Sequence, residues 1–146
     1  MTPGDLRLGS RLDALRHIAA FAGGACAVIG SVSQASAYGF GVSRAAFSHP
    51  DIAWNGVLIS LAAAFCGAVG SVAFFSRLLA GVLLFGSALA SFVGATWFAS
   101  YTLPAIVRSG VAGQVSGPLD MSWLLTIACP LFLLAGGLAL RRRLVR

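Results

Sequence analysis

The sequence predicts an all-α integral membrane protein, a single domain over residues 1–146 in which four transmembrane helices form a bundle. The first observation is length, because four apolar stretches can each cross a bilayer as a helix of about 20 residues. They run from Ile18 to Tyr38, from Trp54 to Phe75, from Leu78 to Thr102 and from Met121 to Leu140. The second is composition, since 58% of the residues are hydrophobic and only 10% are charged. Soluble domains carry about 25% charged residues, so this composition excludes a water-soluble fold.

The third observation is the distribution of the basic residues, which predicts the orientation of the bundle. All ten are arginine, and most of them flank the first span, the second connection or the end of the fourth span: Arg7, Arg11, Arg16, Arg77, Arg141, Arg142, Arg143 and Arg146. Only Arg44 and Arg108 fall in the other two connections. Because short cytoplasmic loops carry the arginine excess, both termini are expected to be cytoplasmic. The aromatic residues that favour the headgroup region lie at the opposite ends of the spans: Tyr38, Trp54, Trp97, Tyr101 and Trp123.

The first element is a short segment before the first span. Leu8, Leu12 and Leu15 recur at spacings of four and three, while Arg7 and Arg11 fall largely off that face. This pattern predicts a short N-terminal amphipathic helix at the cytoplasmic interface. The alternative is a basic leader that only fixes orientation. At the other end of the chain, Arg141, Arg142 and Arg143 form a cytoplasmic anchor.

The first span has a competing interpretation as a secretory signal peptide. The basic stretch and apolar run end at 33–37, whose Ala-Ser-Ala ending resembles a cleavage site. Cleavage after Ala37 would leave three helices. The segment before the span is long for a signal peptide, so retention is expected, and an N-terminus at Tyr38 would contradict the four-helix prediction.

Rows of small residues predict how the spans pack. The first span places one every four residues, which allows another backbone to approach closely. The row consists of Ala19, Gly23, Ala27, Ser31 and Ala35, and similar rows contain Gly67 in the second span and Gly86, Ala90 and Gly94 in the third. These residues are the predicted interface within the bundle or with a partner. The fourth span is bulky nearly all round and is expected to be more lipid-exposed.

The connections constrain the arrangement. Only Ser76 and Arg77 separate the second and third spans, which predicts a tight antiparallel hairpin. Pro104 and Pro118 are expected to limit the third connection, and Pro130 falls inside the fourth span, where it is expected to kink the helix.

The chain offers little reactive chemistry. It contains no Glu, no Asp lies inside a span, and His17 and His49 fall at opposite membrane faces. The three cysteines lie in different spans without metal-ligand spacing. The sequence therefore predicts no catalytic residue, metal or cofactor. Gln34, Ser87 and Ser91 are candidate polar linings of a cavity in an oligomer, although such groups usually bond across helices or to their own backbone.

The expected function is that of a non-enzymatic accessory or scaffolding subunit. Its expected partners are the lipid bilayer and other membrane subunits or its own copies. Nucleic acid is not expected, because the net charge of +6 is carried by arginines at the ends of the spans. The alternative is a homo-oligomeric channel or facilitator for a small neutral or anionic solute. The preference for Arg over Lys, with abundant Ala and Gly, is typical of GC-rich genomes, and it favours a bacterial inner membrane as the location.

Overall fold

The computed structural model describes residues 3–37, 50–73, 76–108 and 120–141, and this part of the chain contains no strand. The helices are α1 (Pro3–Ser36), α2 (Pro50–Val72), α3 (Arg77–Trp97), a π-helical segment (Phe98–Thr102), α4 (Leu103–Arg108) and α5 (Leu124–Leu140). Residues 120–122 are also helical and lead into α5 through a turn at Trp123. The predicted all-helical fold is confirmed for the described residues.

Four helical stretches are long and apolar enough to cross a membrane: Ser10–Ser36, Trp54–Val72, Arg77–Arg108 and Asp120–Leu140. They correspond to the four predicted spans. The fourth is the least buried, with 33% of its most apolar window inside the protein against 39–44% for the others. It nevertheless contributes a large side chain to the centre of the core, Phe132.

The helices form an up-and-down bundle in which each packs against two neighbours. Helix α1 contacts α2 and α5, and α3 contacts the same two helices from the opposite side. The paired residues run in opposite directions along each pair of neighbours, which makes the neighbours antiparallel. Examples are Gly56 against Trp97 and Gly70 against Leu84 between α2 and α3, Gly81 against Leu140 and Gly136 against Phe85 between α3 and α5, and Gly23 against Phe132 and Gly30 against Leu125 between α1 and α5.

The predicted proximity of the second and third spans is confirmed. Ser76 caps α3, since its hydroxyl oxygen accepts a hydrogen bond from the Leu79 N–H at 3.3 Å. A serine at this position satisfies one of the backbone donors that the first turn of a helix leaves unpaired. Helix α3 therefore begins at Arg77, directly after its capping residue.

The third span is longer than predicted and runs past the proline that was expected to end it. The Leu103 N–H donates to the Phe98 carbonyl five residues earlier, which defines a π-helical turn. Pro104 follows this turn inside a continuous helical stretch, where it removes one backbone donor without ending the helix. The helix continues to Arg108, whose Nε donates to the Pro104 carbonyl at 3.2 Å.

The N-terminal segment is helical and continuous with the first span, because α1 has no break from Pro3 to Ser36. Pro130 lies inside α5, as predicted, with its ring on the exposed side.

The interior positions repeat at alternating spacings of three and four residues. On α1 they include Ala20, Ala27 and Gln34, seven residues apart, with Gly24 and Ser31 between them. This average period of 3.5 is that of a left-handed helical bundle. A strict four-residue row advances about 40° per step around a helix of 3.6 residues per turn. Such a row drifts out of the core, and Ala35 at its end is only half-buried.

Candidate functional site

The centre of the bundle is filled by one aromatic ring that lies over two glycines. Phe132 on α5 is fully buried. A Cβ at Gly23 on α1 would lie 3.0 Å from the ring, and a Cβ at Gly67 on α2 would contact it even more closely. Gly67 is therefore needed for the space occupied by the ring, Gly23 allows a close approach to it, and three helices meet at this side chain.

Side chains also pack over glycines at other helix contacts. A large or polar side chain from one helix lies over a glycine of its neighbour, where little or no room is left for a Cβ. The pairs are Gly30 with Leu125, Gly56 with Trp97, Gly81 with Leu140, Gly94 with the Ser60 hydroxyl, and Gly136 with Phe85. Close backbone approach is the usual means of helix association in membranes, where the hydrophobic effect does not draw helices together.

The predicted small-residue interface divides into an internal part and an external part. Ala19, Gly23, Ala27, Ser31, Gly67 and Gly94 are buried in the bundle, whereas Ala35 and Ala90 are half-buried. Gly86 is exposed, and nothing lies within 4 Å of the position that its Cβ would occupy. The buried face of α3 is instead formed by Ala80, Gly81, Leu84, Ser87, Ala88, Ser91 and Gly94.

Sequence reasoning missed Phe132, which organises the core. It lies in a span that is bulky nearly all round, so no pattern within that span distinguishes it from Leu131 or Leu133. The only signal in the sequence was indirect. Glycines at positions 23 and 67 leave space between their helices, and a large side chain from another helix must fill that space.

A buried polar layer lies toward the end of the bundle that carries Trp54 and Trp97. The Ser31 hydroxyl on α1 lies 2.7 Å from the Ser60 carbonyl of α2 and 2.6 Å from the Ala27 carbonyl of its own helix. The Ser60 hydroxyl can donate to Gln34 Oε1 at 2.8 Å or to the Gly56 carbonyl at 2.9 Å. These bonds join α1 to α2.

Two groups in the polar layer have no hydrogen-bond partner. They are the Gln34 Nε2 and the Ser91 hydroxyl, and the two residues are 1% and 0% exposed. If the Gln34 amide is rotated to exchange its nitrogen and oxygen, one end of it still has no partner. Ser87, by contrast, donates to the Leu83 carbonyl at 2.9 Å. All three predicted polar residues are buried within one chain, so they could line a cavity between copies only if the helices separated.

Next to the polar layer, apolar side chains fill the interior of the bundle. Phe132, Leu84 and Leu125 are each at most 1% exposed, and with several alanines they form a continuous apolar cluster. Cys26 and Cys129 pack at its edge, and the three cysteines are free thiols. Within the described residues no group of three His, Cys, Asp or Glu side chains could hold a metal ion.

The two ends of the bundle differ in character. At one end Arg77 lies 3.7 Å from Asp13, and the exposed Arg141 follows the last residue of α5. Arg142 and Arg143, the rest of the predicted anchor, lie outside the described residues, as does His49. At the opposite end Trp97 packs against Tyr101 with ring centroids 5.2 Å apart. Trp54 and Trp123 are exposed at the same end.

The fold and its interior define a four-helix membrane bundle with a closed apolar core and a buried polar layer. No family model, curated protein or solved structure matches the chain.

Proposed function

We propose that this protein is a non-enzymatic accessory or scaffolding subunit of a membrane assembly. The observation that carries the proposal is the closed interior: the ring of Phe132 fills the centre between Gly23 and Gly67. Among the described residues every buried polar side chain is a Ser, Thr or Gln, and none is ionisable. Because the interior is closed, other molecules can contact mainly the outer faces of the helices. Its function then lies in what those faces contact.

The orientation belongs to the same proposal. The end that carries Asp13 has five of the described arginines, Arg7, Arg11, Arg16, Arg77 and Arg141, and the other end has Arg108. The arginine excess favours the cytoplasmic side for the first end, and hence cytoplasmic termini. The start of α1 then reaches the cytoplasmic interface, where its predicted amphipathic face would meet headgroups. We assign the protein to a bacterial inner membrane on its composition.

The outward face of α3 is the part of the predicted interface that remains available to a partner. Gly86 is exposed with open space beside it, and Ala90 is half-buried. Substitutions at Gly23 or Ala27 would disturb the bundle itself, because these residues are part of its core. A substitution at Gly86 therefore tests assembly with less effect on folding than a substitution at Gly23 or Ala27.

The test is the native mass of the protein extracted gently from its own membrane, with identification of co-migrating subunits. We expect unrelated membrane subunits in fixed ratio, and we expect Gly86→Leu to release them while the bundle stays folded. Ala62→Leu, an outward substitution on α2, is the matched control and should leave the complex intact. Loss of the complex in both variants, or in neither, would contradict a docking role for the α3 face.

The second candidate is a homo-oligomeric channel or facilitator, and the observation that favours it is the pair of unpartnered groups at Gln34 and Ser91. Conduction would require the apolar core around Phe132 to open. A pure homo-oligomer in the mass measurement would move this candidate to first place. Liposomes that contain the protein alone should then pass a small neutral or anionic solute, and Gln34→Leu should abolish the flux.

A further inference from the structure

Three helices enclose a small cavity at the arginine-rich end of the bundle. Its volume is about 10 Å³, which is room for about one water-sized atom. Arg16 and His17 of α1 form one wall, Ser71 of α2 another, and Ala80 of α3 a third. A guanidinium group therefore lies beside a recess just large enough for a single oxygen atom.

The charges around the cavity favour an anion. Arg16 Nη2 donates to His17 Nε2 at 2.9 Å, which holds the guanidinium at the cavity. Arg77 begins α3 and is paired with Asp13 at 3.7 Å. Because both partners of that pair are more than a third exposed, solvent weakens it, and Arg77 keeps donors for a further ligand. The N-terminus of α3 adds partial positive charge at this end.

The helix turns that carry the two arginines also present exposed apolar side chains. Leu15 and Ile18 lie in the same turn of α1 as Arg16 and are 43% and 65% exposed, while Leu78 and Leu79 follow Arg77 in the first turn of α3 and are 45% and 40% exposed. A ligand held here meets cationic donors and an apolar surface together. A phospholipid offers both a phosphate and acyl chains, whereas free phosphate offers only the first.

Arg77 does not line the recess, but its partner Asp13 lies about one turn of α1 before Arg16. We infer that this end of the bundle, at Arg16 and Arg77, binds the phosphodiester headgroup of an anionic phospholipid. One phosphate oxygen enters or covers the recess beside Arg16, and Arg77 contacts the headgroup from α3. The acyl chains run along the exposed leucines of α1 and α3. Basic pockets between transmembrane helices are known to suit anionic headgroups in this way. The inference requires only that the four helices lie in a bilayer.

The test is a titration of the full-length protein in detergent with phosphatidylglycerol or phosphatidylcholine of identical acyl chains, followed by native mass spectrometry. We expect preferential binding of phosphatidylglycerol. Arg16→Gln and Arg77→Gln should each weaken it about fivefold. Arg108→Gln, the same substitution at the opposite end of the bundle, should leave it unchanged. Equal binding of the two lipids, or an equal loss in the Arg108 variant, would overturn the site.

Two further measurements protect the test against variants that fold poorly. Asp13→Asn removes the only carboxylate at this end among the described side chains and should strengthen phosphatidylglycerol binding about threefold. A weaker interaction would instead assign the Asp13–Arg77 pair a structural role and contradict the proposal. Inorganic phosphate at the same concentration as the lipid should not displace it. Displacement would identify a free-phosphate site and overturn the lipid assignment.

Discussion

The interior of the bundle holds its helices together in two different ways along its length. Around Phe132 the contacts are steric, because the ring lies over Gly23 and Gly67 and no polar group is involved. Toward the tryptophan-bearing end, Ser31 and Ser60 join α1 to α2 by hydrogen bonds. Among the described residues, the contacts around Phe132 leave no buried polar atom without a hydrogen-bond partner, whereas the polar layer leaves two. Stability is therefore expected to reside mainly in the first region, and any internal binding in the second.

The largest expected effect follows from emptying the steric region. Phe132→Ala should lower the free energy of unfolding by about 3–5 kcal/mol, because it leaves a cavity where three helices meet. Unfolding in mixed micelles by titration with a denaturing detergent would measure the loss. Phe65→Ala is the matched control, since Phe65 is 70% exposed on α2 and should contribute little. Similar losses in the two variants would show that Phe132 is not the centre of the core.

An effect of intermediate size is expected from filling the space beneath the ring. Gly67→Ala places a Cβ against the Phe132 ring, which is fully buried and already close to Gly23, so the ring has little room to move. The cost should be about 1–3 kcal/mol, as is usual for overpacking. Gly86→Ala, which meets open space, should be neutral or stabilising by up to about 1 kcal/mol. Equal unfolding free energies for the two variants would mean that the core accepts a Cβ at position 67 without strain, which would contradict the close contact with Phe132.

The sequence was sufficient to predict the four helical spans. It predicted the lengths of these spans less well. Apolar stretches of this length have few alternatives in a bilayer, so the four spans were predicted within a few residues at most ends. Pro104 misled the prediction at the end of the third span because a π-helical turn accommodates it. Such a turn depends on the packing of neighbouring helices, and a proline by itself does not reveal it.

The interior was predicted only in part, for a related reason. The row from Ala19 to Ser31 is buried as expected, but the true repeat alternates three and four residues and brings Gln34 inside in preference to Ala35. Small residues are frequent on every face of α3, so Gly86 was assigned to the interface together with Gly94. Only the position of the neighbouring helices shows which face is buried.

The smallest expected effects distinguish the two kinds of serine in the polar layer. Ser60→Ala should cost about 1 kcal/mol, because it removes the bond to Gln34 and leaves that amide wholly unpaired. Ser91→Ala should be neutral or slightly stabilising, since it removes a buried hydroxyl that has no partner. The same micelle titration would compare them. A loss at Ser91 as large as that at Ser60 would mean that its hydroxyl bonds to something inside the folded bundle, such as a water or a solute. That result would strengthen the channel candidate at the expense of the scaffolding one, because a ligand in the polar layer is the feature that a purely structural bundle does not need.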